Sequence, residues 1–190
     1  MTSAHSAKVL LLLLCAMSAV FARDAKSTVL SASGKALAEK HMPDFAGIDL
    51  SKPGTEVLAL EDGVTLAKAN PNGRVVLVFF STSCIPCREG LMELKANADT
   101  LQKDAIQIIL VAVGDSRENV RNYLTKIGVS FPCVWDKSGQ ISQNYGVIPQ
   151  GGDLSAARVP LTAIGDNKGK LLRVITAEGD DYLALIRKGK

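Results

Sequence analysis

An α/β fold built on a mixed sheet is predicted by three features of this sequence. Residues 75–80 (VVLVFF) and 106–113 (IQIILVAV) are continuous apolar runs, the composition of strands buried on both faces. Each is followed by apolar residues at helical spacing, and such alternation requires parallel strands joined by crossover helices. Toward the C-terminus the pattern changes. Residues 161–164 and 170–176 read as strands flanking the turn Gly165-Asp166-Asn167-Lys168-Gly169, a hairpin that adds antiparallel strands to the sheet.

The elements follow in order. Residues 1–22 have the pattern of a secretory signal peptide: Lys8, then an apolar stretch at 9–17 (VLLLLLCAM), then Val20-Phe21-Ala22 before Arg23 and Asp24. The apolar stretch is short of the roughly 20 residues that span a bilayer, which disfavours a membrane anchor. Cys15 follows Leu14, where lipoprotein signals resemble one another in having Gly or Ala, so an acylated N-terminus is also disfavoured. An exported protein, in a bacterial periplasm, is expected. Residues 23–41, rich in Ala, Ser and Lys, read as a flexible arm, and 42–190 as one domain. Residues 56–60 and 63–66 read as short extended pieces around a Glu61-Asp62-Gly63 turn, and Pro71-Asn72-Gly73 as a second turn. After the first buried strand, Leu91, Leu94, Ala98 and Leu101 put an amphipathic helix over 85–103. After the second, Asp115 and Glu118 resemble a capping box for a helix carrying Val120, Tyr123, Leu124 and Ile127, which Gly128 stops. A short strand at 131–135, a brief helix at 138–145, the hairpin and a last helix at 180–187 complete the chain.

A net charge of +3, with no concentrated basic run, points away from nucleic acid. The chemistry is concentrated at Cys84 and Cys87. They fall where a buried strand gives way to a helix, the place where α/β folds commonly put their active residues. Free amides and the positive end of the helix dipole favour a thiolate at Cys84, in the range of roughly 3.5–7.5 for such sites against about 8.5 for a free thiol. Cys87 is one helical turn on, within reach of a disulfide. Pro86 sits in the first turn, where its missing N–H costs little. A structural zinc site needs four ligands, and beyond the pair the exported chain adds only Cys133 and His41. No metal and no cofactor is expected. Two inert buried thiols are the remaining reading of the pair.

The segment 75–94 (VVLVFFSTSCIPCREGLMEL), the stretch 108–147, and Val159-Pro160-Leu161-Thr162 together resemble the TlpA/ResA-like branch of the thioredoxin superfamily, exported thiol-disulfide oxidoreductases. The likeness spans about residues 44–188. It implies a thioredoxin-like three-layer fold with a central mixed sheet flanked by helices, Cys84 as attacking thiolate, Cys87 as resolving thiol, and a redox-active disulfide between them. It also implies that Pro160 is a cis-proline facing the pair, with Val159 presenting its backbone to an extended substrate. Partners would be protein dithiols and disulfides, with a membrane or periplasmic electron donor. In such relatives the activity serves reduction of apocytochrome c or of misformed disulfides.

The sequence departs from the pattern in several places. Ser83 stands where relatives have Trp, and the single Trp, Trp135, lies elsewhere; Gly90 stands where many have Glu, with Glu89 one residue early; Val78 stands where thioredoxins bury an Asp. Twelve residues, 148–159 (IPQGGDLSAARV), replace a shorter link before Pro160. Gly151-Gly152 makes this insertion flexible, and it would shape partner recognition or be an inert surface loop. Arg158 is a candidate to stabilise the Cys84 thiolate or a solvated side chain. Cys133, in an apolar strand, reads as a small buried hydrophobe. Two other functions fit the same residues. A thiol peroxidase would match at Ser81 but not at Leu77, where such enzymes resemble one another in having Pro. A non-catalytic binding module would keep the disulfide as a structural link.

Overall fold

The structure, a computed structural model, describes residues 41–176 and 182–188. The expected signal peptide, Cys15 and the arm up to residue 40 lie outside the described residues. His41, expected in the arm, forms an antiparallel bridge with Lys170.

A two-stranded antiparallel ribbon, β1 (Ala46–Ile48) and β2 (Val57–Ala59), leads into α1 (Leu60–Ala67). Then come β3 (Arg74–Phe80), α2 (Ile85–Ala96), α3 (Ala98–Lys103), β4 (Ile106–Val113), α4 (Arg117–Ile127), β5 (Cys133–Asp136) and α5 (Gln140–Asn144). A 3-10 turn (Leu154–Ala156), β6 (Leu161–Asp166), β7 (Leu171–Ile175) and α6 (Tyr182–Lys188) follow. The main sheet has the order β5-β4-β3-β6-β7, with β3, β4 and β5 parallel and β6 and β7 antiparallel. This is the mixed sheet that the two apolar runs and the hairpin imply.

Because side chains alternate along a strand, β3 feeds two cores. Val75, Leu77 and Phe79 face a cluster completed by Leu60, Val64 and Ala67 of α1 and by Ile141, Tyr145 and Ile148. Val76, Val78 and Phe80 face the opposite layer, with Cys87, Leu91 and Leu94 of α2, Val120 and Leu124 of α4, and Tyr182 and Ile186 of α6. Helices thus cover both faces, and the three layers place the C-terminal ends of β3, β4 and β5 along one rim.

Three local expectations are corrected. Residues 63–66 are not extended but lie within α1. Asp62 Oδ2 accepts from the Ala59 amide at 2.8 Å, and Glu61 and Asp62 suit the positive end of a helix. Leu60, Val64 and Ala67 then form one buried stripe, and Gly63 permits the close approach, since a Cβ there would stand 2.9 Å from Ile109 Cδ1. The helix expected over 85–103 is interrupted at Asn97, whose side-chain amide donates to the Glu93 carbonyl at 2.9 Å and competes with the regular ladder. The cap of α4 is Ser116, whose Oγ accepts from the Asn119 amide at 3.2 Å, and not Asp115.

Candidate active site

β3 ends at Phe80, and residues 81–84 turn the chain into α2. Cys84 is the N-cap, extended at φ −82° and ψ 108°, and Pro86 occupies the first turn of the helix. The Cys84 carbonyl accepts from the Arg88 amide at 3.2 Å, and its Sγ accepts from the Cys87 amide at 3.2 Å. Cys84 and Cys87 are joined as a disulfide with a Cα–Cα distance of 5.3 Å. The two sulfurs differ in surroundings. Cys84 is half-buried at the rim, whereas Cys87 is 1% exposed and packed in the cluster with Val78, Phe80 and Leu91. A thiolate arriving from solvent can reach the outer sulfur, and the inner one is then the leaving group. Ile85, 73% exposed, and Pro86 lie beside the outer sulfur on the open surface.

The peptide bond between Val159 and Pro160 is cis. Leu161 pairs with Phe79 in the antiparallel register, so Pro160 falls level with Phe80, at the end of β3 from which the cysteine loop departs. Val159 packs against the same cluster as Cys84 and Cys87. The four residues singled out from the sequence therefore meet at one rim of the sheet.

The insertion before Pro160 is tied to the body at several points. Ile148 is buried, Asp153 caps the 3-10 turn through the Ser155 amide at 2.9 Å, Gln143 Nε2 donates to the Gly152 carbonyl at 3.0 Å, and the Arg158 amide donates to Val147 at 2.9 Å. Its glycines form a turn within this scaffold; the Gly152 amide donates to Pro149 at 2.9 Å. Arg158 is exposed. Glu89 is also exposed, while Gly90 is buried against the sheet.

Several residues of the rim were not legible as site residues. Asp115, at the end of β4, accepts from Thr82 twice: from its amide at Oδ2 and from its hydroxyl at Oδ1, each at 2.8 Å. The Asp115 carbonyl accepts from the Trp135 indole at 2.9 Å. Arg117 and Lys137 stand over the Trp135 ring, 5.7 and 5.9 Å from its centroid. Tyr123 lies against Phe80 with centroids 6.2 Å apart; its hydroxyl is raised from its ordinary titration range by burial, with Arg88 opposing and Asp115 reinforcing. Opposite Val78 in the register is Thr162, whose hydroxyl pairs with that of Tyr182 at 3.0 Å in the layer that holds Cys87.

Cys133 is fully buried, and burial, then the charge of Asp49, pushes its thiol well above the ordinary range. It is a core residue and not a rim thiol. Among the described residues no group of three or more His, Cys, Asp and Glu side chains is placed to hold a metal ion. No helix among them is long and apolar enough to cross a membrane.

A family model described as the AhpC/TSA family matches residues 38–174. The thiol-disulfide oxidoreductase ResA of Bacillus subtilis is 28% identical over 156 residues, 77% of this chain and 82% of that protein. Among solved structures, the thioredoxin domain of a thiol-disulfide oxidoreductase from Bacteroides vulgatus matches with a TM-score of 0.62 and 18% identity, covering 80% of this chain and 96% of that one. The peroxidoxin BcpB of Mycobacterium tuberculosis matches with a TM-score of 0.63 and 18% identity, over 80% of this chain and 94% of its own. Both likenesses establish the thioredoxin-like fold.

Proposed function

The chain belongs to the AhpC/TSA family, and from that premise we propose that it is an exported protein thiol-disulfide oxidoreductase working through Cys84 and Cys87. In the reducing direction the Cys84 thiolate attacks a partner disulfide, forming a mixed disulfide and releasing one partner thiol. The Cys87 thiolate then attacks Cys84, closing the internal disulfide and releasing the second. Two electrons pass to the partner, and a dithiol donor, in the membrane or periplasm, must return them. Val159 and the cis Pro160 would line the extended segment of the partner that carries its disulfide. The ResA relative, by its name, shares the activity. The observation that carries the reading is the disulfide between a half-buried helix cap and a buried thiol one turn on, at the rim that the cis-proline also reaches.

Insulin reduction and peroxide consumption, measured on the wild type and on Cys84→Ser, test it. Insulin reduction by the wild type, lost in Cys84→Ser, is the expected result. Cys84-dependent peroxide turnover without insulin reduction makes the protein a thiol peroxidase instead, and no turnover in either assay makes it a binding module with a structural disulfide.

A further inference from the structure

We propose that Asp115 is a positioning residue for the redox pair: its carboxylate grips the loop that delivers Cys84 and puts its negative charge on that loop, two residues before the cysteine. This rests on the exchange chemistry proposed above and adds to it the group that sets its poise.

The geometry begins with what α4 does not use. Ser116 caps that helix, so the Asp115 carboxylate is left to reach across to a loop 33 positions upstream. It spends both oxygens there, on the amide and the hydroxyl of Thr82, two residues before Cys84. Charge-assisted bonds of this kind are stronger than neutral ones, and two from one carboxylate to one residue fix orientation as well as distance. The base of the turn is closed by the Cys84 amide donating to the Ser81 carbonyl at 3.2 Å, so Thr82 lies at the tip that Asp115 holds. Asp115 is itself held from the far side, through its carbonyl, by the Trp135 indole. A connected line therefore runs from β5 through Asp115 to the cysteine loop on β3.

The consequence for the chemistry is electrostatic and has a sign. Opening the disulfide creates a thiolate at Cys84, and a nearby carboxylate disfavours that charge relative to the neutral disulfide. Other charged groups on the elements around the rim are Arg88 and Glu89 on α2, Arg117 and Glu118 on α4, Lys137 after β5 and Arg158 before Pro160. Removing the Asp115 charge leaves the thiolate with less opposition, so the dithiol form gains. The reaction to follow is disulfide plus two glutathione thiols giving dithiol plus oxidised glutathione, with two electrons passing to the protein.

The test uses the full chain and two variants, each checked for folding by circular dichroism. Asp115→Asn keeps an acceptor for the Thr82 amide, lets its own side-chain amide donate to the Thr82 hydroxyl, and removes the charge; its glutathione equilibrium should shift toward the dithiol about threefold. Asp115→Ala also releases the grip, and its insulin reduction should slow about tenfold, as misplacement of a reacting group does. Asp115→Asn carries the test where Asp115→Ala fails to fold. Folded variants that match the wild type in equilibrium and rate overturn the inference alone. A wild type that does not exchange with glutathione overturns the proposed function, and this inference with it.

Discussion

The same substitution three residues apart, Cys84→Ser and Cys87→Ser, should destabilise the reduced protein at the second position and not at the first. In the oxidised wild type the disulfide closes a loop whose ends are separated by 3 in sequence, and loop-closure entropy alone assigns it about 2 kcal/mol. Excess dithiothreitol removes that contribution from the wild type, and both variants already lack it, so what remains is the local environment. Cys84 is an N-cap whose sulfur accepts a 3.2 Å bond from the Cys87 amide, and a serine oxygen is a better acceptor in that position. Cys84→Ser should be neutral or stabilising by up to about 1 kcal/mol. Cys87 is 1% exposed among Val78, Phe80 and Leu91, so Cys87→Ser buries a hydroxyl in an apolar cluster at about 1–3 kcal/mol. Urea denaturation in excess dithiothreitol, followed by circular dichroism at equal slopes, reads both. Equal destabilisation by the two substitutions, or a larger loss at Cys84, would refute the assignment of one sulfur to the rim and the other to the core.

Two further outcomes follow from the surroundings of single groups. Cys133 has a thiol raised by burial from its ordinary 9.0, so its contribution to stability is complete below about pH 9 and is lost as pH rises, at about 1.4 kcal/mol per unit. Urea melts of Cys133→Val should lack the decline just above pH 9, and an unchanged slope would place its source elsewhere; Tyr145, raised from 10.0 by burial, acts in the same direction at higher pH. Asp62→Ala should cost about 0.5–1 kcal/mol, because it removes the acceptor for the Ala59 amide at the start of α1, whereas no thermal shift would argue that residues 60–67 behave as the exposed turn their composition suggests.

What the sequence revealed and what it hid divide along the range of the forces involved. The bounds of β4 coincide with the apolar run at 106–113 and those of β3 differ by one residue from the run at 75–80, because strands buried on both faces admit little else. Helix α1 was hidden because Glu61, Asp62 and Gly63 have the composition of a turn. Its helical stripe of Leu60, Val64 and Ala67 has value only against a sheet that is formed elsewhere in the chain. The role of Asp115 is hidden for the complementary reason. The local pattern with Glu118 points to its own helix, while its actual partner, Thr82, is on another strand's loop and has no trace in the neighbouring sequence.

The departures around the pair change meaning once the rim is assembled. Ser83 leaves the position before Cys84 small, yet an indole is present: Trp135 reaches the same rim from β5, two strands from β3, and acts on the loop through Asp115. Val78 leaves the layer beneath Cys87 without the carboxylate thioredoxins place there, and its partner in the register is Thr162, joined to Tyr182. Among the described residues the buried carboxylates are engaged elsewhere, Asp49 with Ser51 and the Cys133 amide, Asp136 with the amides that open α5. The carboxylate proposed to tune the pair therefore lies not beneath the buried sulfur but at Asp115, bonded to the loop that carries the half-buried one.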